Sequence, residues 1–79
     1  MTLYQAPEGS NVTIVKVNGE EHNRRHLECL GITSGEKVQV VDSHMGAVII
    51  KVKGYRLALD HDTAKDIEVE RPIGVTANA

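Results

Sequence analysis

The chain has 79 residues, no phenylalanine or tryptophan, and a formal net charge of −2 with neutral histidines. This length predicts one small domain, and the charge argues against a nucleic-acid-binding protein, which normally carries a basic stripe. A single cysteine cannot form an internal disulfide, and Met1–Glu8 lacks the pattern of a secretory signal. No apolar stretch approaches the roughly 20 residues that a membrane span needs. We therefore expect a cytoplasmic protein that does not insert into a membrane.

Short stretches rich in valine and isoleucine predict strands, because β-branched side chains suit a pleated, half-buried surface. The predicted strands are residues 11–17, 37–42, 47–53, 55–60 and 66–70. Turn residues separate them, and an aspartate-capped helical turn is predicted at 60–65. The domain should occupy residues 1–70, and we expect the aperiodic tail, residues 71–79, to be disordered.

One helix interrupts this β pattern, from about Glu21 to Leu30. Leu27 and Leu30 lie three residues apart and share a helix face. Gly31 follows at the place where a left-handed cap favours glycine, and a turn around Gly35 ends the segment. The pattern predicts a short helix whose two leucines pack over an open end of the β structure.

Three metal-ligand candidates lie on the opposite side of this helix: His22, His26 and Cys29, spaced by four and three residues. Imidazole and thiolate groups bind zinc and other transition metals. The alternative is an ordinary exposed polar face with one small cysteine. A second acidic and histidine cluster, Asp60-His61-Asp62, is better explained by an N-cap aspartate. We expect that the protein requires no cofactor. If His22, His26 and Cys29 bind a metal, Fe²⁺ or Zn²⁺ is the candidate.

Four residues are candidates for protein contact. Arg24, Arg25 and Glu28 form the charged flank of the helix, and Met45 lies at the tip of the hairpin loop 43–46. Arginine is enriched at interfaces, and an exposed methionine makes an adaptable apolar contact. The alternatives are solvated charges and a methionine that folds back onto the sheet.

Signatures of catalysis are missing from the sequence. It has neither a phosphate-binding Gly-x-x-x-x-Gly-Lys loop nor a Gly-x-Gly-x-x-Gly motif. Cys29 as a nucleophile would lie on a surface helix without a water-excluding pocket. We therefore expect no catalytic residues and no enzyme activity.

The helix and its exit resemble the signature of the FeoA family, small bacterial proteins of ferrous iron transport. The matching residues are Arg24-Arg25, Leu27, Leu30, Gly31, Ile32, Gly35 and Val38, followed by Leu57-Ala58-Leu59, Ala64, Ile67 and Val69. The resemblance covers roughly residues 2–70. It also extends to the C-terminal domain of DtxR-type iron-dependent repressors.

The resemblance implies an all-β fold with one short helix, a small five-stranded SH3-like barrel. It implies an accessory protein that contacts the cytosolic domain of a FeoB-type ferrous iron transporter. The alternative that it leaves open is a metal-sensing or regulatory domain like the one in the repressors. The closure of the barrel rests on the resemblance, since periodicity does not separate a closed barrel from an open sheet.

Overall fold

The structure is a computed structural model and describes residues 1–70; the tail predicted at 71–79 lies outside them. The described residues contain five strands, two α-helices and one 3₁₀ helix. The strands are β1 (Asn11–Val17), β2 (Lys37–His44), β3 (Ala47–Val52), β4 (Tyr55–Asp60) and β5 (Ile67–Val69). The helices are α1 (Glu21–Cys29), α2 (His61–Lys65) and the 3₁₀ helix Leu3–Gln5. The predicted elements are all found, with small differences at their ends.

The strands form one antiparallel sheet in the order β4-β3-β2-β1-β5. The register shifts between Ile14 and Lys16 in β1 and between Val40 and Asp42 in β2, and irregularities of this kind bend and twist a sheet. Within residues 1–70, β4 and β5 are not hydrogen-bonded to each other, so the expected barrel is open along this side. The 3₁₀ helix and α2 pack together beside the two end strands. The result is a bent, open sheet with helical segments at the side where it does not close.

The core formed by residues 1–70 is entirely aliphatic. Six valines and four isoleucines are among its fifteen buried apolar side chains. The members are Leu3, Ala6, Val12, Ile14, Leu27, Ile32, Val38, Val40, Val48, Ile50, Val52, Leu59, Ala64, Ile67 and Val69. Neither tyrosine belongs to it, since Tyr4 and Tyr55 are exposed. The branched side chains that predicted strands are therefore also the ones that fill the interior.

Helix α1 ends as the sequence predicts. The amide of Ile32 donates to the carbonyl of Leu27, at 2.9 Å, and the amide of Gly31 donates to that of Glu28, at 3.0 Å. With φ of +96° at Gly31, these two bonds form a Schellman cap. Leu27 is buried, but Leu30 is only half-buried because the helix stops at Cys29 and Leu30 is its C-cap residue. Leu27 and Ile32, rather than Leu27 and Leu30, therefore join this segment to the core.

Helix α2 begins at the predicted N-cap. The carboxylate of Asp60 accepts a hydrogen bond from the amide of Thr63, at 2.9 Å. This interaction satisfies one of the free amides of the first turn. Neither α-helix in residues 1–70 has the length and apolar character that crossing a bilayer requires.

Candidate interaction surface

The proposed ligands on α1 are all exposed. His22, His26 and Cys29 lie on the solvent side of the helix, as their spacing predicts. Residues 1–70 nevertheless contain no group of three or more His, Cys, Asp or Glu arranged to hold a metal ion. Metal binding by His22, His26 and Cys29 therefore stays a prediction, and within residues 1–70 no facing element adds ligands to this helix face.

Arg24 and Glu28 lie beside a groove between α1 and β1. The groove has a volume of about 290 Å³, and its walls include Arg24 and Glu28 from the helix and Val15 and Lys16 from the strand. Val15 is 47% exposed although it belongs to β1, since it lies where the register of that strand shifts. The groove thus combines an apolar side chain with charges of both signs.

The loop at one end of this groove is fastened to β1. The amide of Gly35 donates to the carbonyl of Ile14, at 2.7 Å, and the amide of Ile14 donates to that of Glu36, at 2.9 Å. The hydroxyl of Ser34 donates to the carbonyl of Val15, at 2.8 Å. Gly35 adopts φ of +91°, where glycine avoids a Cβ clash. The loop around Gly35 is therefore held firmly at this end of the groove.

Arg25 points to a different side of α1 from Arg24, because successive helical residues are about 100° apart. Its guanidinium forms an ion pair with Glu21 one turn earlier, with 2.8 Å between nitrogen and oxygen. Both side chains are well exposed, so this pair contributes only about 0.3–0.5 kcal/mol to stability. The two arginines that the sequence places together are thus separated: Arg24 borders the groove, and Arg25 does not line it.

Met45 occupies the tip of the β2–β3 hairpin and is 88% exposed. It and Gly46 are the two residues between the paired His44 and Ala47, and both have positive φ, +47° and +84°. This is the signature of a type I′ turn, in which asparagine, aspartate and glycine are favoured. A methionine there adopts an uncommon backbone conformation and makes an apolar contact available. Of the two alternatives for Met45, the structure shows the exposed one, and a protein contact there stays a prediction.

A set of contacts that the sequence analysis missed holds the end of α1 to the β3–β4 hairpin. The amine of Lys53 lies 3.0 Å from a carboxylate oxygen of Glu36. The hydroxyl of Tyr55 donates to the carbonyl of Leu30, which satisfies one of the free carbonyls at the helix end. These partners lie 17 to 25 residues apart, so sequence spacing carries no signal for them.

Hydrogen bonding at the α2 cap perturbs the pKa of Asp60. The hydrogen bonds from Thr63 lower the pKa of Asp60, because they favour the ionised carboxylate, and the neighbouring His61 adds a smaller effect of the same sign. This shift stabilises α2 and has no connection to the groove. The contact surfaces are thus the groove between α1 and β1 and the exposed tip at Met45.

A family model described as the FeoA domain matches residues 1–71. The chain belongs to the FeoA family. It is 34% identical over 65 residues to the "Putative Fe(2+) transport protein A" of Methanocaldococcus jannaschii, an alignment that covers 82% of this chain and 79% of that protein. The prediction made from the Leu27–Gly35 motif is thereby confirmed, and a role in Fe²⁺ uptake follows at the level of the family.

Solved structures show the same fold. An iron uptake regulatory protein (FeoA) is 32% identical, with a TM-score of 0.82 over 89% of this chain and 95% of that chain. FeoA of Stenotrophomonas maltophilia, described as an SH3-domain protein and complexed with zinc, is 26% identical, with a TM-score of 0.78 over 89% of each chain. A manganese-dependent transcriptional repressor shares the fold alone, at 14% identity and a TM-score of 0.82 over 92% of this chain and 41% of the repressor. The SH3-like fold is thereby confirmed.

Proposed function

We propose that this chain is a non-catalytic accessory protein of ferrous iron uptake that acts from the cytosol on the cytosolic domain of a FeoB-type transporter. Membership of the FeoA family supports the iron-uptake role. The non-catalytic character is supported by the open positions of the nucleophile and base candidates, since Cys29, His22 and His26 are exposed on one helix. Such positions leave water free to reach every reacting group.

The observation that carries the proposal is the groove between α1 and β1. Arg24 and Glu28 flank it with opposite charges, and the exposed Val15 supplies an apolar contact. Its wall is held by the backbone hydrogen bonds of Gly35 and Glu36 to β1, so a partner pays little ordering entropy on docking. Met45 offers a second, separate contact at the β2–β3 tip.

The matched pair Arg24→Glu and Arg25→Glu tests this docking surface. Both substitutions change the net charge equally and lie on the same exposed helix, but only Arg24 borders the groove. We expect Arg24→Glu to weaken binding to the purified cytosolic domain of the transporter by about ten-fold, and Arg25→Glu to change it less than about two-fold. The measurement is isothermal titration calorimetry, with circular dichroism as the folding control.

Each other outcome has a definite meaning. Equal effects of the two substitutions would show that only net charge matters and would remove the groove as the docking surface. Loss of binding in Met45→Ser, with Arg24→Glu unaffected, would move the contact to the hairpin tip. No binding by the unchanged chain would contradict the transporter partnership itself.

A second candidate function is metal-linked regulation, favoured by His22 and His26. Histidines four residues apart on one helix face are a zinc-binding pair, and a family relative has been solved with zinc. Zn²⁺ and Fe²⁺ titrations followed by histidine NMR resonances and by sedimentation would test it. Shifts at both histidines together with a change of oligomeric state, both lost in His26→Gln, are expected if the chain senses metal. Unchanged resonances at a metal concentration equal to that of the protein would contradict it.

A further inference from the structure

The outer face of the sheet carries a polar row that crosses four strands. Asn11 of β1 is opposite Gln39 of β2, Gln39 is opposite Lys51 of β3, and Lys51 is opposite Arg56 of β4. Residues directly opposite each other share a sheet face, and all four are exposed. With strands about 4.8 Å apart, the row is about 14 Å long.

A second row lies next to it, two residues along the strands. Thr13 is opposite Lys37, and Lys53 follows Lys51 at the β3–β4 tip. The two rows border a depression of about 430 Å³. The residues with polar side chains that line it are Asn11, Thr13, Lys37, Gln39, Lys51 and Lys53. We call Lys37, Lys51, Lys53 and Arg56 the basic face.

The charge on this face is not compensated within residues 1–70. Lys53 pairs with Glu36, but Lys37, Lys51 and Arg56 form no ion pair with any described residue. Lys51 and Arg56 are directly opposite each other, and like charges in such a pair are destabilising. Four of the nine lysines and arginines of a chain with net charge −2 thus gather on one face.

Protection of the sheet edge does not account for this cluster. Lysines often blunt an edge strand against unwanted pairing, and Arg56 on β4 fits that purpose. Lys37 and Lys51, however, lie on β2 and β3, which are paired on both sides. Their positive charges therefore protect no edge, and they are available to a ligand that supplies negative charge.

From this arrangement we infer that the basic face is a docking surface for an extended acidic peptide segment of a partner protein. Lys37, Lys51 and Arg56 lie on the successive strands β2, β3 and β4, so successive carboxylates of the peptide reach these three cations. Gln39 and Asn11 supply hydrogen bonds for its backbone. These cations are spread across three strands, about 10 Å, and do not converge on one point, which suits several carboxylates better than a single phosphate. This surface is separate from the groove beside Arg24, so it stands independently of the docking proposed there.

The test uses the full chain and a short labelled peptide of alternating glutamate and serine, with glutamine replacing glutamate in a control peptide. Fluorescence anisotropy gives the affinity, and amide NMR shifts of the ¹⁵N-labelled chain give the site. We expect saturable binding at low salt, with shifts at Gln39, Lys51 and Arg56, that weakens as the Debye length falls from about 30 Å at 0.01 M to about 8 Å at 0.15 M salt. The glutamine peptide should not bind.

Lys51→Glu separates a binding role from a structural one. The new carboxylate would lie opposite Arg56, so the urea midpoint should rise while the affinity for the acidic peptide falls by about ten-fold. Arg25→Glu, with the same change of net charge outside the depression, should leave the affinity within about two-fold.

Three results would overturn the inference. The first is absence of saturable binding to the acidic peptide, and the second is equal weakening by Lys51→Glu and Arg25→Glu. The third is binding of inorganic tripolyphosphate to these residues with no response to the peptide, which would replace the partner segment by a phosphate ligand.

Discussion

The two hairpins on either side of β3 have the same turn and opposite surroundings. Met45-Gly46 and Lys53-Gly54 each have positive φ at both central residues, +47° and +84° in the first and +49° and +85° in the second. In the β3–β4 hairpin, Lys53 bonds to Glu36 and its stem lies over Gly31. In the β2–β3 hairpin, Met45 extends into solvent.

The same strained turn is therefore anchored by side-chain contacts in one hairpin and exposed to solvent in the other. At Lys53, the positive φ directs a long side chain back to the end of α1, and Tyr55 reinforces the same junction through the Leu30 carbonyl. The conformational cost, about 1 kcal/mol or more for a residue other than glycine, is offset by tertiary contacts. At Met45 no such compensation is visible in the described residues, because the side chain extends into solvent.

The largest expected effect comes from removing Leu27, the side chain that joins α1, and with it the contact to the β3–β4 hairpin, to the core. Leu27→Ala should lower the free energy of unfolding by about 2–4 kcal/mol, because it removes the buried side chain through which α1 joins the core. Leu30→Ala should cost less than about 1 kcal/mol, since Leu30 is half-buried. Urea denaturation followed by far-UV circular dichroism measures both. Equal losses would mean that Leu30 packs as firmly as Leu27.

Gly31→Ala disturbs the same junction between α1 and the β3–β4 hairpin, because it changes a residue with positive φ. Gly31 has φ of +96°, and a Cβ there would lie 3.1 Å from two stem carbons of Lys53, so the lysine must shift and its bond to Glu36 weakens. We expect a loss of about 1.5–2.5 kcal/mol in the free energy of unfolding. The matched control is Gly35→Ala, where φ is +91° but nothing lies within 4 Å, with an expected loss of about 1–2 kcal/mol.

A double-mutant cycle isolates the contact with the lysine stem. In a Lys53→Ala background, the costs of Gly31→Ala and Gly35→Ala should become equal, because the neighbour that crowds position 31 is gone. A difference that persists would show that the stem of Lys53 is not what distinguishes these two glycines.

Local signals in the sequence predicted most of the fold. The strands follow from runs such as Val38–Val40 and Val48–Val52, the Schellman cap from Gly31, and the α2 N-cap from Asp60. Each of these depends on residues within one turn or one strand. Leu30 was placed wrongly because helix ends are uncertain by one or two residues, and a shift of one position moved the buried contact to Ile32.

The parts that could not be predicted depend on distant residues. The open side between β4 and β5 follows from pairing β5 with β1, and the basic face follows from the register of four strands. A register displaced by one residue would have turned Lys51 away from Arg56. At the candidate site, the sequence named Arg24 and Arg25 together, while the groove separates them because β1 lies beside only one of them.

Substitution of both tips by asparagine sharpens the comparison between the hairpins. Asparagine tolerates a positive φ and is favoured in type I′ turns. Met45→Asn should therefore raise the free energy of unfolding by about 0.5–1 kcal/mol, since the methionine has few contacts to lose. Lys53→Asn should be nearly neutral, because the gain in the turn is offset by loss of the bond to Glu36. Urea midpoints measured side by side decide it, and an equal gain in both variants would mean that the Lys53 anchor contributes nothing to stability.

The smallest expected effect concerns the base of the Met45 hairpin, where Asp60 is paired with Ala47 and caps α2. Because hydrogen bonds from Thr63 lower the pKa of Asp60 in the folded chain, the ionised carboxylate stabilises the fold fully above its unfolded pKa. That contribution is lost as the pH falls through the lower folded pKa. Asp60→Ala should therefore unfold at lower urea than the unchanged chain at pH 7, and the gap should close as the pH falls below about 4. Asp62→Ala, which removes a neighbouring charge inside α2, is the control. If the difference in urea midpoint between Asp60→Ala and the unchanged chain stayed constant down to pH 2, packing at this position, and not the charged cap, would be what stabilises α2.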